Sequence, residues 1–147
     1  MKTITHRLAT IEDYEFLLEV KKQAEGEVVE AVFGWDDDVQ RRIHQEEWED
    51  ATPQVIELDG ERIGSFLLQK YDDHYYFRRF FVWPEYQGKG IGSSILYACL
   101  DKADSEGLPV KLSYLQGNRV SALYQRFGFK YVNEDEHFVY MERRAKS

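Results

Sequence analysis

The spacing of apolar residues along the chain switches between helical and strand-like periods. Ile4 to Arg7 reads as a short strand. Thr10 and Asp13 then make a capping-box-like start to a helix, with Ile11, Tyr14 and Leu18 on one face and Phe16, Val20 and Ala24 on a neighbouring stripe. Gly26 and the stretch Glu27 to Gly34 interrupt this pattern, which resumes from Asp36 to about Glu47 with Val39 and Ile43 one turn apart. Thr52-Pro53 closes the helical half. Gln54 to Leu58 and Arg62 to Tyr71, joined by Asp59-Gly60, predict a β-hairpin with a tight turn, and Asp72-Asp73 marks a second turn before a third antiparallel strand, His74 to Val82. Gly90 to Ser105 reads as a long, well-buried helix, with Ile91, Ile95 and Ala98 along one side and Leu96, Cys99 and Ala103 along another. Gly107-Leu108-Pro109 ends it. Val110 to Tyr114 predicts a strand, Val120 to Arg126 a short helix, and Tyr131-Val132 with Phe138 to Met141 a terminal strand pair around Asn133 to Glu136. The class is α/β.

At 147 residues the chain is expected to form one domain, 1–147, large enough to bury a core without covalent staples. Its single cysteine, Cys99, lies in an apolar helical pattern and reads as a small buried hydrophobe rather than a reactive thiol. The first residues lack a secretory apolar stretch and no later run is long enough to span a bilayer, so a cytoplasmic protein without membrane contact is expected. A net charge of −8 argues against nucleic-acid binding, which needs clustered Lys and Arg, and suits a cationic partner. The acidic clusters Asp36-Asp37-Asp38 and Glu46 to Asp50 read first as solvated helix surface, although Trp35 beside the first cluster offers an edge for a cation. His6, His44, His74 and His137 are scattered singly, so no metal is implied.

One segment carries chemistry. The apolar run Phe80-Phe81-Val82 breaks at Trp83-Pro84 and restarts through Gly88, Gly90 and Gly92 into a helix. Glycines there let backbone N–H groups approach an anion, and the helix start aims its unpaired N–H groups and positive dipole end at the same place. The spacing disfavours a nucleoside-triphosphate loop, because Gly92 is followed by Ser93-Ser94 with no lysine, and a dinucleotide fingerprint, because the glycines fall at every second position. Gln87-Gly88-Lys89-Gly90-Ile91-Gly92 instead resembles the Gln/Arg-x-x-Gly-x-Gly/Ala acetyl-CoA motif of the GNAT superfamily of N-acetyltransferases. Downstream, Val110 to Tyr114, Asn118, Ala122, Tyr124 and Gly128-Phe129 follow in the order and spacing of that family, and Leu8 to Tyr14 is similar to its first strand-to-helix junction.

The resemblance implies a GNAT-like fold: a central mixed, mostly antiparallel twisted sheet of about six or seven strands flanked by about four helices. It implies acetyl-CoA as acyl-donor cosubstrate and no metal. Gln87, Gly88, Lys89, Gly90, Ile91, Gly92 and Ser93 are the expected pyrophosphate cradle. The backbone of Phe81 and Val82 is expected to pair with pantetheine or the acetyl oxygen in an opening between the strands ending at Val82 and near Tyr114. Asn118 is expected to bond the pantetheine region, or to serve as a turn or N-cap residue. Tyr124 is the expected general acid for the departing thiolate. The family's glutamate base has no counterpart in Tyr75 to Phe80, and no base is assigned. The implied activity is direct acetyl transfer to a primary amine of a small molecule or protein in a ternary complex. The alternative is a non-catalytic acyl-CoA-binding or regulatory module. The edge strands of the C-terminal pair are compatible with a homodimer.

Overall fold

The computed structural model describes residues 3–146 and contains seven strands and four α-helices. In chain order these are β1 (Ile4–Leu8), α1 (Tyr14–Phe33), α2 (Asp37–Asp50), β2 (Gln54–Leu58), β3 (Glu61–Lys70), β4 (Tyr75–Val82), α3 (Ile91–Ser105), β5 (Val110–Leu115), α4 (Ser121–Arg126), β6 (Lys130–Glu134) and β7 (Phe138–Arg143). The strands form one mixed sheet in the order β1-β2-β3-β4-β5-β7-β6. Pairing is antiparallel for β1/β2, β2/β3, β5/β7 and β6/β7, and parallel for β4/β5 at Tyr75↔Val110 and Tyr76↔Lys111. This is the α/β architecture expected from the sequence. The chain makes two compact units, Met1–Leu67 with Arg79–Lys89, and Leu68–Arg78 with Gly90–Ser147. No helix among the described residues is long and apolar enough to cross a membrane.

The first unit departs from the sequence pattern at α1. The helix does not stop at Gly26 but runs to Phe33, so the interruption expected from Glu27 to Gly34 is helix. A single glycine costs a helix about 1 kcal/mol relative to alanine, and burying Val29, 3 % exposed, offsets that. The true stop is Gly34, whose φ of 78° suits glycine and whose N–H closes on the Glu30 carbonyl at 3.0 Å. Ile11, expected to share a helical face with Tyr14 and Leu18, sits instead in a 3-10 turn before the helix proper and is 72 % exposed. The capping role of Asp13 holds: its carboxylate accepts the Thr10 N–H at 2.8 Å. Only 2 % exposed, Asp13 also takes two bonds from Arg7 and one from Arg62, and these donors hold its carboxyl well below the usual range against the opposing effect of burial. Asp36 caps α2 by accepting the Val39 N–H, and Trp48 and Phe16 pack on the cluster of Ala9, Leu17 and Val55. The hairpin turn falls at Asp59 and Gly60, both at positive φ, as a tight primed turn requires. All three tryptophans, Trp35, Trp48 and Trp83, belong to this unit.

In the second unit α3 buries Ile91, Ile95, Leu96, Cys99, Leu100 and Ala103, while Ala98 is exposed, so one broad apolar face replaces the two stripes expected. Burial pushes the Cys99 thiol up to about 12. Arg143, 5 % exposed, grips Asp104 through two bonds of 2.9 and 3.0 Å and donates to the Phe127 carbonyl, tying β7 to α3 and to the end of α4.

Candidate functional site

The residues after β4 turn into α3 through a run of glycines whose exposed groups are largely backbone. The Trp83 N–H pairs with the Ile63 carbonyl at 2.7 Å, a 3-10 turn follows over Pro84–Tyr86, and the Gln87 side-chain amide donates back to the Val82 carbonyl at 2.9 Å. Gln87 thus braces the exit of β4. Gly88 and Gly90 have φ of 74° and 82°, and a Cβ at either would meet nothing within 4 Å, so dihedral angle and not space demands glycine. Gly90 is the N-cap of α3 without a side-chain cap, and the first turn has no acidic residue. The helical ladder begins with the Ser94 N–H on the Gly90 carbonyl at 3.0 Å, which leaves the N–H groups of Ile91, Gly92 and Ser93 as donors at the positive end of a 15-residue helix. Ile91 is 3 % exposed and offers backbone alone. Lys89 is exposed, its ammonium 6.0 Å from the centre of the Tyr86 ring. Open positive-φ glycines, uncapped donors and absent carboxylates fit a diphosphate.

Phe81 and Val82 differ. A Cβ at Gly64 would stand 2.2 Å from the Phe81 carbonyl oxygen, so the side chain missing from Gly64 is what lets β4 lie against β3 there. With the Phe81 carbonyl and the Trp83 N–H both directed at β3, strand alternation turns the Val82 backbone to the other edge of β4.

In the second unit Asn118 lies in the turn after β5, its N–H bonded to the Leu115 carbonyl at 3.0 Å. It is not the N-cap of α4, which is Val120, and its side-chain amide makes no hydrogen bond among the described residues. α4 places Tyr124 at 5 % exposure within an aromatic cluster, with ring centroids 5.7 Å from Phe129, 6.1 Å from Tyr114 and 6.5 Å from Phe77.

The first unit also holds a cavity of about 30 Å³ that the sequence did not reveal, walled by Lys21, His44, Glu47, Ser65, Arg79 and Phe81 among others. Arg79 organises it. Its φ of 53° breaks the strand alternation of β4, where burial alternates from Tyr75 to Arg78 and then lapses until Val82. Its guanidinium, 9 % exposed, donates to the carbonyls of Glu47 and Ala51 at 2.9 and 2.8 Å and reaches the carboxylates of Glu47 and Asp50 at 3.0 and 3.3 Å. It therefore caps the negative end of α2. The available signal was Arg78-Arg79 inside an otherwise aromatic strand. Nearby, burial pushes the Glu25 carboxyl up to about 7; Lys21 pulls it down and Glu47 adds to the rise. Trp35 does meet a cation, but an internal one: Lys22 lies 5.8 Å over its ring and Asp37 takes its indole N–H at 2.7 Å.

The model of the acetyltransferase (GNAT) family matches residues 15–129. Among solved structures, the fold is similar to PaiA N-acetyltransferase from Thermoplasma acidophilum in complex with coenzyme A, at 21 % identity and TM-score 0.76, covering 97 % of this chain and 99 % of that one. It is similar to the ribosomal-protein-S18-alanine N-acetyltransferase of Escherichia coli at 18 % identity and TM-score 0.72, over 100 % and 96 % of the two chains. The acetyl-CoA complex of yncA, a putative acetyltransferase from Salmonella typhimurium, matches at 18 % identity and TM-score 0.63, over 97 % and 94 %. No curated protein matches the sequence.

Proposed function

The chain belongs to the acetyltransferase (GNAT) family, an acetyl-CoA-dependent N-acetyltransferase by class, and on that premise we propose that it acetylates a primary amine in a ternary complex with Tyr124 as proton donor. The observation that carries this reading is the cradle: Gly88 and Gly90 at positive φ open a long helix whose first N–H groups no side chain caps. The backbone of Gly88 to Ser93 would hold the pyrophosphate, with Lys89 adding charge from the rim. The Val82 N–H, on the edge of β4 away from β3, and the Asn118 amide are the candidate partners for the amide groups of pantetheine. Acetyl-CoA supplies an acetyl thioester, activated toward an amine. The Tyr124 phenol, buried among Phe77, Tyr114 and Phe129, would donate its proton to the departing sulfur. A negative total charge favours a cationic acceptor.

Two measurements test this. Excess acetyl-CoA, at a hundred times its dissociation constant, should stabilise the protein by about 2.7 kcal/mol in a thermal melt, with CoA but not NAD or ATP reproducing the shift. Tyr124→Phe should lower turnover about 100-fold while leaving that shift intact. A shift without thiol release from any amine would identify a binding module; no shift would remove the cradle.

A further inference from the structure

We propose that His44, through a water held in the cavity beside Phe81, takes the proton that the acceptor ammonium must lose before it can attack. The inference deepens the acetyltransferase reading and rests on it. It supplies the proton acceptor that β4 lacks, since Tyr75 to Phe80 contains no carboxylate.

Hydrogen-bond chemistry fixes which nitrogen can serve. His44 Nε2 lies 2.8 Å from the Tyr14 carbonyl oxygen. A carbonyl only accepts, so Nε2 carries the hydrogen and Nδ1 keeps its lone pair. The ring is further held by the Tyr14 ring, 4.5 Å away between centroids. An imidazole oriented by one bond and basic at its other nitrogen is the arrangement that general-base histidines use. The cavity that His44 lines, about 30 Å³, exceeds what one water needs, and its walls include Glu47, whose carboxylate pairs with Arg79 at 3.0 Å, and Ser65, whose hydroxyl donates to the Arg79 carbonyl at 3.2 Å and keeps lone pairs to accept. Phe81 forms another wall, so the cavity reaches β4 one residue before the Val82 backbone proposed to hold the cosubstrate.

The charges around His44 set its working range. From α1 it faces Glu15 and Lys21 and from α2 Glu47; among the described residues lining the cavity, β4 adds Arg79 and β3 the uncharged Ser65. Burial is the largest influence and lowers its pKa from 6.5, Lys21 adds to the fall, and the Tyr14 carbonyl, Glu47 and Glu15 oppose it. The ring is accordingly neutral near pH 7 and able to accept. The balance is simple. An N–H bond of the ammonium breaks and Nδ1 gains the proton. The freed nitrogen lone pair forms the N–C bond as the C–S bond breaks, and the sulfur takes the Tyr124 proton. The amide nitrogen gives up its surplus proton to the resulting phenolate, and His44 returns its own to solvent.

The test is the pH dependence of kcat/KM, followed by thiol release with acetyl-CoA and 1,4-diaminobutane, lysinamide and a tripeptide with a free N-terminus as acceptors. His44→Gln keeps a donor for the Tyr14 carbonyl and removes the base. We expect the wild-type acid limb, with a midpoint below 6.5, to vanish in His44→Gln together with an about 100-fold fall at pH 7, while the acetyl-CoA thermal shift is unchanged. Retention of both limb and rate in His44→Gln overturns the assignment and leaves the acetyltransferase reading standing. No thiol release from any of the three amines overturns both. Should His44→Gln fold poorly, ring-¹⁵N NMR of the unmutated protein decides: a His44 titration midpoint coinciding with the kinetic limb supports the role, and a mismatch removes it.

Discussion

The glycine turn at 87–93 and the cavity around Arg79 are assembled by opposite means. The turn is a short continuous run that presents backbone N–H groups; Gln87 braces its entry, and Gly88 and Gly90 shape it by lacking a side chain. The cavity gathers side chains from α1, α2, β3 and β4, spanning residues 17 to 81, around one buried guanidinium. Backbone sites tolerate loss of a side chain and resist a gain; side-chain sites do the reverse.

Four substitutions test that contrast, two in the turn, one in the cavity and one at the buried Asp13 cluster, a second site built from side chains. The largest effect is expected for Arg79→Ala, which strips the end of α2 of its cap and leaves Glu47 without its partner; removal of such a buried charge costs about 3 kcal/mol. Thermal unfolding should show a fall of roughly 6–12 °C for a chain of this size. An equally stable Arg79→Ala protein would mean that the cavity does not depend on its anchor.

Asp13→Asn is next, at about 2 kcal/mol, since it weakens bonds from Arg7, Arg62 and Thr10 to a buried carboxylate. The pH dependence has a definite sign. A carboxyl held lower in the folded chain than in the unfolded one stabilises above about pH 4, and that contribution is lost as pH falls toward the folded pKa. Urea midpoints measured from pH 6 down to pH 2.5 should therefore drop more steeply for wild type than for Asp13→Asn.

Gly90→Ala should cost about 1 kcal/mol, from a left-handed conformation and not from a clash, and should weaken the acetyl-CoA thermal shift as the turn relaxes. Lys89→Ala should be the mildest, under about 0.5 kcal/mol in stability and a few-fold in acetyl-CoA affinity measured by calorimetry, because its ammonium is exposed and screened. A larger effect at Lys89 than at Gly90 would reverse the assignment of backbone as the working part.

The same contrast explains what the sequence disclosed. The Asp59-Gly60 hairpin, the glycine turn and the order of the C-terminal elements are local, so pattern and turn chemistry located them to within a residue or two. The far half of α1 was hidden because Gly26 is a breaker by propensity alone, whereas packing of Val29 decides the outcome. The sequence motif does not distinguish Phe81 from Val82, because which edge each backbone faces depends on how β4 lies against Gly64, a contact across seventeen positions. Arg79 and His44 were invisible as site residues for the same reason: each acquires meaning from a carbonyl or carboxylate some thirty positions away.

The confinement of Trp35, Trp48 and Trp83 to the first unit gives the molecule an optical asymmetry. Excited at 295 nm, about where tyrosine ceases to absorb, the protein reports on one unit and is dark in the other. A melt followed by tryptophan emission and again by far-ultraviolet circular dichroism thus separates local from global unfolding without any label. Coincident curves would make the two units one cooperative body.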